Sequence, residues 1–284
     1  MPQITEEIIF SSDPANGALE VNADGDSFTV QFDRPVAVPS NAKNVNIQMI
    51  ESVVWFTTPN ITESNQNLRI TGPDTTDAIQ VYDIVIPVGL YDLTGLSAAI
   101  LRELDAATPK AKQEPYPLIT VSADDATSKV VLYLNYTTVT VDFSVPNSIG
   151  PVLGFSTDVG DNPVGPVAVA PSPIVAPDVA RFNAINSFLI HCDLARAGIR
   201  LNNTYSQVIG NPLITVAPGR QIIYSPQYPP IIEANHLAGA QRTRVRSWLT
   251  DEQNRRVNTA GEYWSFRLRL SYFVEYEASI PHIM

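Results

Sequence analysis

Alternating apolar and polar residues near the end of the chain predict a long β-strand. Between residues 263 and 276 apolar side chains occupy every second position, and Arg267 and Arg269 lie between them. Side chains of a strand point alternately to the two faces of its sheet, so one face is expected to be buried. The apolar positions are Trp264, Phe266, Leu268, Leu270, Tyr272, Val274 and Tyr276.

A second alternating segment lies just before this strand, at residues 242–250. Arg242, Arg244 and Arg246 share one face, and the residues between them share the other. The polar segment 251–255 separates the two strands, which predicts a β-hairpin with a long loop. A hairpin needs further strands to cover its apolar face, and the rest of the chain has to supply them.

Most of the remaining chain also has the patterns of short strands separated by turns. One segment differs, because residues 94–106 carry apolar side chains at helical spacing and end just before Thr108 and Pro109; it predicts one main helix. The predicted strands include 27–33, 45–57, 68–71, 80–87, 118–122, 129–134, 139–144, 188–193, 205–209 and 220–224. The sequence therefore predicts an all-β protein.

A proline-rich segment near the middle of the chain predicts a domain boundary. Seven prolines fall between Pro146 and Pro177, and proline can neither continue a helix nor donate along a sheet. The segment is therefore expected to be an extended connector. The predicted organisation is an N-terminal arm (1–18), a first β-domain (19–165), the connector (166–180) and a second β-domain (181–284).

Composition supports a compact protein outside the membrane. Hydrophobic residues make up 44% and charged residues 17%, which is not a disordered composition. Apolar runs all fall short of the roughly 18 residues that span a bilayer. The first residues lack the positive start and apolar core of a signal peptide, so synthesis in a cytoplasm is expected.

Charge is unevenly distributed along the chain. The net charge of −11 argues against a protein that coats nucleic acid. Residues 1–180 hold seven basic and 22 acidic residues, a net −15, whereas residues 181–284 hold 11 and seven, a net +4. All 11 later cations are arginines, which pair well with carboxylates at interfaces. Solvated strand faces and contacts between oppositely charged surfaces of neighbouring copies both fit this distribution.

No motif predicts an enzyme, a metal site or a cofactor site. His191 and Cys192 are neighbours, but adjacent strand residues point to opposite faces, so a Cys/His nucleophile is not expected. Cys192 is the single cysteine and is expected to be a buried, inert thiol. The Asp24-Gly25-Asp26 segment resembles half of a calcium loop but lacks the other ligands, so an ordinary turn is expected.

The arginines of the two closing strands are the candidate interface residues. Three cations on one strand face repel one another unless something anionic lies opposite. Glutamates of the same sheet, a neighbouring subunit, or nucleic acid or anionic lipid could each supply that charge. The candidates for a subunit interface are Arg242, Arg244, Arg246, Arg267 and Arg269.

Several short segments in matching order resemble a family of viral capsid proteins. They occur at 86–93 (IPVGLYDL), 129–132 (KVVL), 147–155 (NSIGPVLGF), 190–194 (IHCDL), 218–226 (PGRQIIYSP), 248–252 (WLTDE) and 261–268 (GEYWSFRL). Together with the predicted helix they resemble the hexon-like major capsid proteins of tailless icosahedral viruses and bacteriophages. None of these segments is a catalytic signature.

This resemblance implies two eight-stranded jelly rolls in one chain, a double jelly roll. Three chains would form a pseudo-hexagonal homotrimer that tiles the icosahedral shell of a virion. The implied partners are further copies, neighbouring capsomers, vertex proteins and, in many such viruses, an internal membrane. Sequence-specific binding of nucleic acid, a cofactor and enzymatic turnover are not expected.

Two alternative functions also fit the sequence. A minor vertex (penton) protein or spike base of the same type of virus would form pentamers or attach to fibres. A β-sandwich carbohydrate-binding or hydrolytic module would require Trp55, Trp248 and Trp264 to form an exposed platform. Their positions within strands favour core packing instead.

Overall fold

The structure is a computed structural model that describes residues 1–183, 185–201 and 204–275. It divides into two compact units. Unit 1 combines Met1–Thr58 with Ile185–Met284, and unit 2 is Pro59–Ala184. The predicted all-β class is confirmed, since strands dominate both units.

The elements follow one another in chain order. The strands are β1 (Gln3–Ser11), β2 (Ala18–Leu19), β3 (Ser27–Ala37), β4 (Ala42–Trp55), β5 (Asn67–Pro73), β6 (Ile79–Val85), β7 (Ile119–Asp124), β8 (Lys129–Leu134), β9 (Thr140–Asp142), β10 (Ser172–Val179), β11 (Leu189–Cys192), β12 (Arg200–Leu201), β13 (Thr204–Tyr205), β14 (Val208–Gly210), β15 (Gln221–Tyr224), β16 (Ile232–Glu233), β17 (Gln241–Thr250) and β18 (Ser265–Val274). The α-helices are α1 (Leu93–Ala106) and the four-residue α2 (Gly150–Leu153). Short 3₁₀ turns lie at Pro14–Asn16, Val159–Asp161 and Asn235–Leu237.

Unit 1 is a jelly-roll β-sandwich. One sheet has the order β1-β18-β4-β15, with β16 also paired to β4, and the other has the order β14-β11-β17-β3-β2. Its eight principal strands in chain order are β1, β3, β4, β11, β14, β15, β17 and β18. Counted in this order, the first sheet contains strands one, eight, three and six, and the second sheet contains strands five, four, seven and two. This is the strand order of a jelly roll.

Aromatic side chains fill the core between the two sheets of unit 1. The Phe10 ring stacks on Phe266 at 4.8 Å within the first sheet and meets Phe32 of the second sheet edge-on at 5.8 Å. Trp264 is only 2% exposed, lies 4.9 Å from Phe28, and donates from Nε1 to the Gly25 carbonyl at 3.0 Å. Burial of these rings is the main source of stability for the sandwich.

The two closing strands form as predicted but do not form a hairpin with each other. β18 pairs with β1 and β4 in the first sheet, whereas β17 pairs with β3 and β11 in the second. The segment after Thr250 therefore crosses from one sheet to the other. Periodicity fixes which face of a strand is buried but does not select its partner, and this is why the hairpin prediction is wrong. Tyr276, predicted to end the last strand, lies outside the described residues.

The N-terminal residues and the proline-rich segment both form edge strands. The predicted arm (1–18) contains β1, which pairs with β18 along its whole length. The predicted connector (166–180) contains β10, which pairs with β8 in unit 2. Pro173 and Pro177 are tolerated there because an edge strand can leave one side of its backbone without sheet partners.

Unit 2 holds two three-stranded sheets and the main helix. The sheets have the orders β6-β5-β9 and β10-β8-β7. The predicted helix is confirmed as α1, whose first turn is capped by Asp92 Oδ1 accepting from the Gly95 amide at 2.6 Å. Its buried residues, among them Leu96, Ile100 and Leu104, join a core drawn wholly from this unit.

The unit boundaries correct the predicted domains 19–165 and 181–284. Unit 2 is inserted between β4 and β11, the third and fourth principal strands of the jelly roll. The early strands β3 and β4 belong with the late strands β17 and β18 because they share sheets with them. The eight-strand order is found in unit 1, and unit 2 has six strands in its two sheets rather than eight.

Candidate assembly surface

Strand β17 presents three arginines on the outer face of the second sheet. Arg242, Arg244 and Arg246 are exposed, while Val245 and Leu249 are buried in the sandwich. The predicted alternation is therefore confirmed for this strand. Exposed cations and buried apolar residues at a spacing of two are what a half-buried strand requires.

The immediate partners of these three arginines compensate little of their charge. Arg244 lies 3.6 Å from Glu20, with both side chains about 60% exposed, and its Nε donates to Gln31 at 3.2 Å. Arg246 lies over the Trp248 ring, 6.0 Å from its centroid. An ion pair this exposed contributes about 0–1 kcal/mol, so the β17 face stays strongly positive.

The charges of these arginines affect the pKa values of two nearby groups, Asp193 and His236. Burial raises the pKa of the Asp193 carboxyl, while Arg242 and Arg246 act in the opposite direction. The pKa of His236 is lowered, first by burial and then by the charges of Arg196 and Arg242. Arg196 is exposed three residues after Asp193, whose amide donates to the Arg246 carbonyl at 3.0 Å. We call these four residues the arginine patch: Arg196, Arg242, Arg244 and Arg246.

Arg267 and Arg269 belong to a different surface. They lie on β18 in the first sheet, and Arg269 donates from both Nε and Nη2 to Glu7 Oε1, at 3.1 and 2.8 Å. Arg267 lies 3.8 Å from Glu7 and 3.6 Å from Glu51. Glutamates of the same sheet thus supply the opposing charge here. The five predicted interface residues do not form one surface, because β17 and β18 are in opposite sheets.

Sequence reasoning missed a polar cluster around Trp248. The imidazole of His191 stacks on this indole at 4.9 Å, and His191 Nε2 lies 2.9 Å from Thr250 Oγ1. Arg256 lies over the same indole at 5.9 Å and donates from Nη1 to the buried Asp26 carboxylate at 2.6 Å. No local pattern could reveal this cluster, because strand pairing alone brings together residues more than 200 positions apart.

The candidate chemical motifs have structural roles. Asp26 pairs with Arg256, and the Asp24 carbonyl accepts from the Thr259 amide, so this segment is a buried turn. Cys192 is fully buried, and burial raises the pKa of its thiol to about 12. Within the described ranges, His, Cys, Asp and Glu side chains form no group of three that could hold a metal ion.

The three tryptophans do not form a platform. Trp264 is buried in the core, whereas Trp55 and Trp248 are half-buried on strands of opposite sheets. This arrangement disfavours the carbohydrate-binding alternative, which needs adjacent exposed rings. In the part of the chain that the structure covers, α-helices are all too short or too polar to cross a membrane.

Comparison with protein families gives one partial match. Residues 4–106 match the model of a bacterial Ig-like domain, which is less than half of the chain. The matched range ends inside unit 2, and it excludes β17 and β18, which are sheet partners of its strands β1, β3 and β4. Ig-like domains are also β-sandwiches, but this range is not a closed sandwich here. No curated protein matches the sequence.

Comparison with solved structures gives a match along the whole chain. Nineteen chains match, among them the crystal structure of a selenomethionine-labelled mavirus penton protein. The alignment covers 96% of this chain and 100% of the penton protein, with 11% sequence identity and a TM-score of 0.50. This chain shares its fold. At such low identity the likeness concerns the fold alone.

Proposed function

We propose that this chain is a structural protein of a viral capsid and that five copies assemble at a vertex of the shell. The observation that carries the proposal is the jelly roll of unit 1 with unit 2 inserted between its third and fourth strands. A chain whose own name is penton protein has the same fold over its full length. The segments that resemble hexon-like capsid proteins support a virion location as well.

The strand count favours the vertex role over the trimeric major capsid role. A pseudo-hexagonal trimer requires each chain to contribute two similar sandwiches, so that three chains present six similar positions. Here the eight-strand order occurs in unit 1, whereas unit 2 has two three-stranded sheets. A ring of identical chains around a fivefold axis needs no second jelly roll in each chain.

The proposed role involves assembly and no turnover. Its free energy would come from apolar and charged surface buried between copies, as in other symmetric oligomers. The exposed strand faces described above are the natural places for such contacts. The chain would then be found in the shell of the particle after synthesis in the host cytoplasm.

Native mass spectrometry of the purified full chain, with electron microscopy, tests this proposal. We expect a species of five times the 31.0 kDa chain mass that appears as a fivefold ring. A trimer with pseudo-sixfold outline would instead support the major capsid role. A monomer at all protein and salt concentrations, with no assembly on other shell components, would contradict both.

A further inference from the structure

We propose that the arginine patch on the second sheet of unit 1 binds the acidic turn Asp158–Asp161 in unit 2 of a neighbouring copy. The inference rests on the proposed function, because it names the surfaces through which copies associate. It assigns a docking role to the β17 arginines and withdraws that role from Arg267 and Arg269.

The first argument is that the patch has a net positive charge, with four arginines against the Glu20 and Asp193 carboxyls near them. Arg242, Arg244 and Arg246 project from one strand at successive outward positions, and the only anionic side chain within 4 Å of any of the three among described residues is Glu20. Association of two such faces across a twofold axis is disfavoured, since cations outnumber carboxylates on both. Contact between copies through this patch is therefore expected to be heterologous, with a different surface on the partner. Heterologous contacts generate rings when the rotation closes.

The second argument is the location of negative charge. Unit 2 contains 14 acidic and six basic residues, a net −8, whereas unit 1 contains 15 acidic and 12 basic residues, a net −3. The strongest opposite charge available on a second copy is thus on unit 2. Many of its carboxylates are already occupied, as Asp83 is by Arg69 and Asp105 is by Lys110.

The turn Asp158–Asp161 differs from those occupied carboxylates. Both aspartates are exposed, and neither forms a salt bridge with another described residue. Val159 between them is 79% exposed, an apolar contact that a partner surface could cover. The turn thus offers two carboxylates and one apolar side chain to an arginine-bearing surface, a combination common at protein interfaces.

The turn is also held in a fixed shape before any partner binds. Asn162 Nδ2 donates to the Ser156 and Asp158 carbonyls at 3.0 and 2.8 Å, and Asn162 Oδ1 accepts from the Phe143 amide at 2.9 Å. A preorganised turn loses little conformational entropy on binding. The carboxylates therefore need no loop ordering to reach guanidinium groups.

Charge reversal and charge exchange test the contact. The variant R242E/R244E/R246E is expected to raise the protein concentration needed for half-assembly by more than about tenfold. The variant D158R/D161R is expected to do the same. One chain carrying all five substitutions should restore assembly toward the wild-type level, because each contact around the ring again joins opposite charges.

Matched controls separate the contact from effects on folding. R242K/R244K/R246K keeps the charge, so its half-assembly concentration should lie within a few-fold of the wild-type value. R267K/R269K changes arginines that are paired within their own sheet, and its half-assembly concentration should also stay near the wild-type value. Thermal unfolding of each variant at concentrations below assembly checks that unit 1 remains folded. A benzophenone attached through Q31C, which is exposed and pairs with Arg244 on the same sheet face, should cross-link to the segment around Asp158 of another copy. Cys192 is buried and would not compete.

The outcomes distinguish this inference from the proposed function. If R242E/R244E/R246E forms normal rings, or if the charge exchange fails to restore them, the inference is wrong while the vertex role stands. A second outcome would also overturn the inference. If R242E/R244E/R246E still forms rings but loses a binding of single-stranded DNA or anionic vesicles that the wild-type protein shows, a polyanion is the partner of the patch. If no ring forms with wild-type protein, the proposed function itself fails.

Discussion

The Asp26 carboxylate accepts a hydrogen bond from Arg256 Nη1 at 2.6 Å, although 230 residues separate the two in sequence. The Asp26 side chain is 1% exposed and that of Arg256 is 45% exposed. Asn22 Nδ2 donates to the other carboxylate oxygen. The pair ties the turn before β3 to the segment that crosses between the sheets after β17.

Removing either partner of this pair should have unequal effects. Arg256→Ala leaves a buried carboxylate with less compensation and is expected to cost roughly 2–4 kcal/mol of unfolding free energy. Asp26→Asn leaves an arginine that still reaches water and should cost only about 1–2 kcal/mol. Urea unfolding of the two variants measures this order. A larger loss for Asp26→Asn would contradict the burial argument.

Gly25 should tolerate alanine much less well than Gly17. Both have positive φ angles, +69° and +87°, so alanine is strained at either position. A Cβ at Gly25 would lie 2.2 Å from Thr259 Oγ1, whereas a Cβ at Gly17 meets nothing within 4 Å. Gly17→Ala should therefore cost about 1–2 kcal/mol and Gly25→Ala on the order of 3 kcal/mol or more. Equal losses of unfolding free energy would show that Thr259 moves away freely.

Unfolding should become easier between pH 6.5 and about 4 because of His191. Burial, with a smaller effect of the Arg256 charge, lowers the pKa of this imidazole to about 4. The unfolded chain then binds a proton in a pH range where the folded chain does not, so stability falls as pH falls through this window. The loss from this group is on the order of 2–3 kcal/mol at pH 4.5.

His191→Gln provides the control for that titration. Glutamine can still hydrogen-bond Thr250 but does not titrate, so the difference in unfolding free energy between pH 7.5 and pH 4.5 should shrink. His236, whose pKa is also lowered, keeps its own smaller contribution of the same sign. An unchanged pH dependence in the variant would mean that His191 is protonated in the folded protein or accessible to water.

Unit 2 should fold when expressed alone as residues 59–184. Its hydrophobic core, which includes Leu68, Ile84, Leu104 and Phe143, is drawn from this range. We expect a cooperative urea transition by circular dichroism. The fragment 19–165 is the matched comparison. It lacks β10, β17 and β18, so β3, β4 and β8 would lose sheet partners, and it should unfold without cooperativity or aggregate. A cooperative transition for 19–165 but not for 59–184 would favour the sequential domain boundaries.

The sequence determined the local structure well where a pattern of period two or 3.6 depends on neighbouring residues only. Leu96, Ile100 and Leu104 predicted α1, and the alternation of Phe266, Leu268 and Leu270 predicted β18. The exposure of Arg242, Arg244 and Arg246 followed from the same reasoning. These predictions agree with the structure because one face of a strand or helix is buried wherever that element lies in the fold.

The pairing of strands could not be obtained in this way. β18 pairs with β4 more than 200 residues earlier, and periodicity contains no information about which apolar face covers another. The predicted hairpin and the predicted order of domains failed for that reason. The Asp26–Arg256 pair and the His191–Trp248 stack were invisible for the same reason.

The sequence by itself thus determined an all-β protein with one main helix, a positive closing region and no catalytic motif. Only the tertiary structure decided that strands from both ends of the chain form one jelly roll, with unit 2 inserted into its sequence, and that five arginines fall on two opposite sheets. Side-chain periodicity is a short-range property, whereas sheet order depends on contacts across the whole chain. The same long-range pairing separates the compensated arginines of β18 from the largely uncompensated ones of β17.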